Sequence, residues 1–142
     1  MSKADSRACI VLVVEDEWLV STAVVGELRK SGCIVLEARS GEEAIAHLNR
    51  EPGIGVVFTD LRLGGRTSGW DVAEAFRKII PDVGVIYTSG RSHHGARSVP
   101  GSLFFGKPYN PAVVRKACMR IASDRIPMRL RTSPRLPQSA KP

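Results

Sequence analysis

Short apolar runs alternate with helical stripes along this chain, and few folds accommodate that rhythm. Cys9-Ile10-Val11-Leu12-Val13-Val14 is a continuous β-rich run, the mark of a strand covered on both faces. Trp18, Leu19, Ala23, Val24 and Leu28 then recur at helical spacing up to Ser31-Gly32, where the glycine can cap a helix. Cys33 to Ala38 reads as a second strand. Ser40 and Glu43 stand at capping-box spacing before an apolar stripe of Ala44, Ile45 and Leu48. Val56-Val57-Phe58-Thr59-Asp60 is a third strand, apolar or β-branched until its closing carboxylate. A helix over 69–80 turns Val72, Ala73, Phe76, Ile79 and Ile80 inward and stops at Pro81. Val83 to Ser89 is a fourth strand and Leu103-Phe104-Phe105 a fifth, with Phe104 and Phe105 expected in the core. Residues 91–99 between them are polar and contain His93-His94-Gly95, so any helix there is short and weak. Asn110-Pro111 opens the last helix, whose inward face carries Val113, Val114, Ala117, Cys118 and Ile121. The alternation predicts an α/β fold, a parallel sheet with helices on both faces and all strand carboxyl ends on one edge.

A length of 142 residues is one domain's worth. The net charge of +7 is uneven: Arg125, Arg129, Arg131, Arg135 and Lys141 meet no acid after Asp124, which leaves only +2 for the body. The body is nearly neutral, so the basic total is not evidence for a nucleic-acid-binding fold. Residues 125–142 mix these bases with Pro127, Pro134, Pro137 and Pro142 and read as a disordered basic tail, while residues 1–8 read as a flexible N-terminus. Cys9, Cys33 and Cys118 are odd in number and far apart, without a C-x-x-C pair, so no disulfide or zinc framework is expected and a reducing compartment fits. No signal-peptide core and no run approaching ~18 apolar residues occurs, and a cytoplasmic location is expected. His93-His94 reads as a solvated loop, and His47 lacks the four-helix bundle a phosphotransfer histidine would need.

The shared edge gathers chemistry. Glu15-Asp16-Glu17 follow the first strand, Asp60 ends the third, Thr88-Ser89 end the fourth and Lys107 follows the fifth. Taken singly, Asp60 could be a turn aspartate and the three acids a favourable helix start. Carboxylates gathered within ~4 Å repel by about 4 kcal/mol per pair at an effective dielectric of ~20, and stay ionised together only beside a cation. An all-oxygen donor set without Cys or His suits Mg2+. A carboxylate beside that ion, with a lysine opposite, is equipped to attack a phosphoryl group and hold the product.

Four pieces in order, each at a predicted strand end, carry a resemblance: the apolar strand into Glu15-Asp16-Glu17, the strand into Asp60, Ser89-Gly90, and Lys107-Pro108 after Leu103-Phe104-Phe105. Across residues 9–124 the chain resembles the receiver domain of the two-component response-regulator family. That resemblance implies a flavodoxin-like (βα)5 fold with a doubly wound five-stranded parallel sheet. It implies Asp60 as acceptor of phosphate from a histidine kinase or phosphotransfer protein. Mg2+ would lie on Glu15, Asp16, Asp60 and the carbonyl of Arg62, Lys107 would hold the phosphoryl oxygens, and its peptide bond to Pro108 would be cis. Ser89 matches the switch hydroxyl, with Thr88 its competitor if the register shifts by one. Phe104 matches the aromatic switch three residues before Lys107. Arg62 and Arg91 flank the site at positions that tune dephosphorylation.

The chain departs from the family pattern in three places. Gly64 stands where proline is frequent, and the loop to Gly69 is one residue longer, which should loosen it. The segment between Ser89 and Lys107 is several residues short, so the fourth crossover helix is expected to be short or irregular, which puts the usual partner or dimer surface in question. No helix-turn-helix follows, so a stand-alone signalling module without a DNA-binding domain or membrane contact is expected, with a homodimer compatible. A phosphorylation-independent scaffold and a small Mg2+-dependent phosphohydrolase are the competing functions. The second would need a substrate pocket and usually a cap, and the chain has no insertion long enough to form one.

Overall fold

The computed structural model describes residues 9–91 and 95–125. The expectations for residues 1–8, for His93-His94 and for residues 126–142 lie outside these. Five strands form one parallel sheet: β1 (Ile10–Val14), β2 (Ile34–Ala38), β3 (Val56–Asp60), β4 (Gly84–Ser89) and β5 (Leu103–Gly106), in the order β2-β1-β3-β4-β5. Four helices, α1 (Trp18–Lys30), α2 (Gly41–Arg50), α3 (Gly69–Ile79) and α4 (Pro111–Asp124), cover it. This is the flavodoxin-like architecture. The chain leaves β1 toward β2 on one side and returns to β3 on the other, so the gap above β1 and β3 is the topological switch point where such folds bind ligands. No described helix is long and apolar enough to cross a membrane.

Two apolar layers hold the sheet. On one face Val24, Val25 and Leu28 of α1 and Val114, Cys118 and Ala122 of α4 meet Val11, Val13, Phe58 and Ile86. On the other, Ala44 and Leu48 of α2 and Val72, Ala73 and Phe76 of α3 meet Leu12, Val57, Val85 and Tyr87. β3 and β4 are buried at every residue, as their uninterrupted apolar runs require. Helix starts are held by side chains: Ser40 accepts from the Glu43 amide, Ser68 and Asp71 form a complete capping box, and Asn110 accepts from the Ala112 and Val113 amides.

Several expectations need correction. Cys9 and Cys33 form a disulfide, with Cα atoms 5.0 Å apart. The cause is register: Ile10 pairs with Ile34, so the residue before each strand is brought side by side, a contact invisible to sequence spacing. No helix occurs among the described residues between β4 and β5. The outer side of edge strand β5 is therefore poorly covered, and Phe104, expected in the core, is 36% exposed beside Leu103 at 42%. Ile79 and Val113 are also exposed, because Ile80 and Val114 take the core positions at those turns. At the start of α1, Trp18 and Leu19 face solvent rather than packing inward, while Ser21 is buried. Arg125, placed at the head of the tail, is instead anchored by Nε to the Asp82 carbonyl (2.8 Å) and by Nη2 to its carboxylate (3.0 Å).

Candidate functional site

Beyond β1 the backbone is pinned before the acids appear. The Glu15 amide donates to the Ala38 carbonyl at 3.0 Å, and Arg39 Nη1 donates to the Glu15 carbonyl at 3.4 Å. Glu15 is buried, whereas Asp16 and Glu17 are exposed. Glu17 is the N-cap residue of α1 but makes no side-chain cap bond, and the first turn holds no acid. Helix capping therefore does not account for these carboxylates.

Asp60 closes β3 and is buried. Its Oδ1 accepts from the Arg62 amide at 3.1 Å, and its Oδ2 meets Lys107 Nζ at 2.7 Å. The same ammonium lies 3.1 Å from Glu15 Oε1. Lys107 is itself held at the end of β5: its amide donates to the Ser89 carbonyl at 2.9 Å, and the Lys107–Pro108 peptide is cis. Glu15, Asp16 and Asp60 each offer one carboxylate oxygen, all within 4.8 Å of one another. Three distant stretches of sequence thus converge on one point at the switch between β1 and β3.

The electrostatics follow from burial and this convergence. Desolvation raises the Glu15 carboxyl above its ordinary value; the Glu17 amide and Lys107 work against that, and the charge of Asp60 adds to it. Burial alone would lower the Lys107 ammonium, but hydrogen bonds to Asp60 and Glu15 outweigh it and leave it above the ordinary lysine value. One half-buried ammonium between two carboxylates, with a third acid at the rim, leaves an excess of negative charge. That excess and the all-oxygen donor set fit a hard divalent cation.

The two hydroxyls take different places. Thr88 is the register partner of Asp60, and its buried Oγ1 has no hydrogen-bond partner among the described residues. Ser89 is also buried; its Oγ accepts from the Arg91 amide at 3.1 Å, and its carbonyl receives Lys107. Phe104 is the register partner of Tyr87 on β4, at the open side of β5. The long loop after Asp60 is tied down: Thr67 Oγ1 donates to Glu42 Oε2 at 3.0 Å, and the Ser68–Asp71 box ends it.

Tyr109 escaped the sequence reading. It follows the cis proline, meets Phe58 edge-on at 5.2 Å and donates its hydroxyl to the Val20 carbonyl at 3.3 Å. Burial, then the negative charge of Glu15, pushes its phenol up to about 12. It thus walls the acid cluster on the α1 side, and the aromatic directly after Lys107-Pro108 was the available signal.

The response regulator receiver domain family matches residues 11–117. The chain belongs to that family. Receiver domains are signalling domains that are phosphorylated by histidine kinases and bind Mg2+ at an acidic pocket. The sensor kinase CckA of Brucella abortus (strain 2308) is 33% identical over 110 residues, which cover 74% of this chain but 12% of that protein. A response regulator receiver protein from Sinorhizobium medicae WSM419 superposes with a TM-score of 0.76 at 28% identity, over 81% of this chain and 94% of that one. The receiver domain of NtrX from Brucella abortus gives a TM-score of 0.67 at 25% identity, over 80% and 98%.

Proposed function

We propose that the chain is a phosphoacceptor of a two-component relay, phosphorylated on Asp60 with Mg2+ and switching a protein-interaction surface. The observation that carries this reading is the bridge of Lys107 Nζ between Asp60 Oδ2 (2.7 Å) and Glu15 Oε1 (3.1 Å), with Asp16 at the rim. In this reading one oxygen of Asp60 attacks phosphorus of a phosphohistidine donor. The P–N bond breaks, its electron pair returns to the imidazole, and an aspartyl phosphate forms. Lys107 then exchanges its carboxylate contact for a phosphoryl oxygen, and the Arg62 amide holds the other Asp60 oxygen in place. Glu15, Asp16, Asp60 and the carbonyl of Arg62 are the groups that would hold Mg2+. When bound, the ion supplies positive charge that neutralises the transferred phosphoryl group.

The switching part rests on Ser89, with Thr88 as the alternative hydroxyl, and on Phe104. A phosphoryl group on Asp60 attracts the hydroxyl, and Phe104 turns inward from its exposed position into the space so vacated. The matched relative from Brucella abortus is a sensor kinase, which supports a kinase as phosphate donor. A phosphohydrolase is disfavoured because no described segment forms a cap over the acids.

The test is intact mass after incubation with acetyl phosphate and Mg2+, for the parent chain and Asp60→Asn. A single phosphoryl adduct, lost in the variant and with EDTA, is the expected result. No adduct on a folded parent chain would move the reading to a phosphorylation-independent scaffold.

A further inference from the structure

We propose that Cys9 and Cys33 are a reversible redox-modification site whose bond braces the segment carrying Glu15 and Asp16. The two sulfurs are joined across the amino ends of β1 and β2, 24 residues apart in sequence. The loop they close contains β1, both acids and the whole of α1. One end of the brace is Cys9, whose carbonyl accepts from the Ile34 amide at 2.9 Å. The other is Cys33, whose amide donates to the Leu28 carbonyl at 3.1 Å in the last turn of α1. Breaking the bond removes the covalent tie between the turn that ends α1 and the start of β1, and leaves Leu28 and the backbone bonds to hold that end. The N-terminal end of the same helix begins two residues after Asp16.

The three cysteines are not equivalent. Cys118 is fully buried, and desolvation pushes its thiol up to about 12. Cys9 and Cys33 keep 7% and 5% exposure at the rim of the sheet. Cys33 directly follows Gly32, an exposed residue at positive φ in the turn that ends α1. Helix ends open locally at low cost, so a fraying last turn uncovers this sulfur first. Register then supplies the partner thiol without rearrangement.

The oxidant class is a low-molecular-weight disulfide such as glutathione disulfide. The Cys33 thiolate attacks one reagent sulfur, its S–S bond breaks and one glutathione thiolate leaves. The Cys9 thiolate then attacks the Cys33 sulfur and expels the second. The protein loses two protons and two electrons as two thiols become one disulfide, and the reagent is reduced to two thiols. A dithiol reverses the sequence.

The experiment uses the full chain, treated natively with glutathione disulfide or with dithiothreitol, then alkylated after denaturation and weighed. One alkylated cysteine is expected for the oxidised chain and three for the reduced one. The oxidised chain should melt about 10 °C higher, since the cross-link restricts the unfolded state. Cys118→Ser should keep that shift, and the double variant C9S/C33S should lose it. Three alkylated cysteines after oxidation, or a bond that dithiothreitol cannot open in the folded chain, would overturn the proposal. The bracing effect rests on the reading of Glu15 and Asp16 as cation ligands and is read by calorimetric titration with Mg2+. The oxidised chain should bind about threefold more tightly, because the loop is preorganised. Equal affinity overturns the bracing. Absence of Mg2+ binding in both redox states overturns the cation reading instead, and the alkylation count still decides the cysteine pair.

Discussion

The third and fourth crossovers run between neighbouring strands yet are built in opposite ways. From β3 to β4 the chain makes α3, started by the Ser68–Asp71 box and buried through Val72, Ala73 and Phe76. From β4 to β5 no described residue is helical, and point contacts hold the path. Arg97 Nη2 reaches Asp71 (2.9 Å) and Glu74 (2.7 Å) on α3 and lies over the Trp70 ring, while the buried Val99 amide donates to the Tyr87 hydroxyl at 3.1 Å. A crossover can thus be positioned without a helix, but it then leaves apolar surface open on the strand it serves. Leu103 and Phe104 are that surface.

Side-chain truncation is the strongest way to break this contrast. Phe76→Ala should cost about 4 kcal/mol in urea denaturation, whereas Phe104→Ala should cost under about 1 kcal/mol, since its ring already meets solvent. Equal losses would mean that β5 is packed as tightly as α3. Tyr87→Phe should cost about 1.5 kcal/mol by stranding the buried Val99 amide, whose hydrogen exchange should quicken. For the helical crossover, Ser68→Ala should cost about 1 kcal/mol through the lost cap. Arg97→Ala should cost at most about 0.5 kcal/mol, because the ion pairs are nearly half exposed, and the difference should shrink in high salt.

The smallest effects are in pH. The Ser68 amide, followed by Arg97, holds the Asp71 carboxyl below its ordinary 3.8, so its contribution is present above that pH and lost as pH falls through the folded value. Glu15 has the opposite sign. Burial raises its carboxyl above 4.5, so the folded chain is favoured below that pH and loses the advantage as pH rises through the folded value. Melting temperatures from pH 3 to 7 in EDTA should show Asp71→Asn flattening the acid limb and Glu15→Gln flattening the opposing slope.

The sheet was legible because its strands are uninterrupted apolar runs, and the acids were legible because each stands where such a run stops. Lys107 could be placed with them from the parallel topology alone. What stayed hidden depends on register and on rotation about element axes. Cys9 meets Cys33 only because Ile10 pairs with Ile34. Ile79 and Val113 satisfy helical spacing as well as Ile80 and Val114, and only the packed helix decides which points inward. Phe104 looked like core because its exposure depends on how the edge of β5 is covered rather than on its own strand.

Gly69 has a consequence for engineering. A Cβ there would overlap the Asp60 carbonyl oxygen, and its amide donates to the Leu61 carbonyl at 3.0 Å. Leu61 and Gly69 are therefore a clasp that shuts the intervening residues into a ring outside the sheet, and Thr67 ties the far side of that ring to Glu42. Gly65, which faces Glu42 rather than the acid cluster, is where length can be added without passing strain to β3, whereas Gly64 lies beside Asp16. A short reporter peptide spliced at Gly65 should leave the acid cluster where it is.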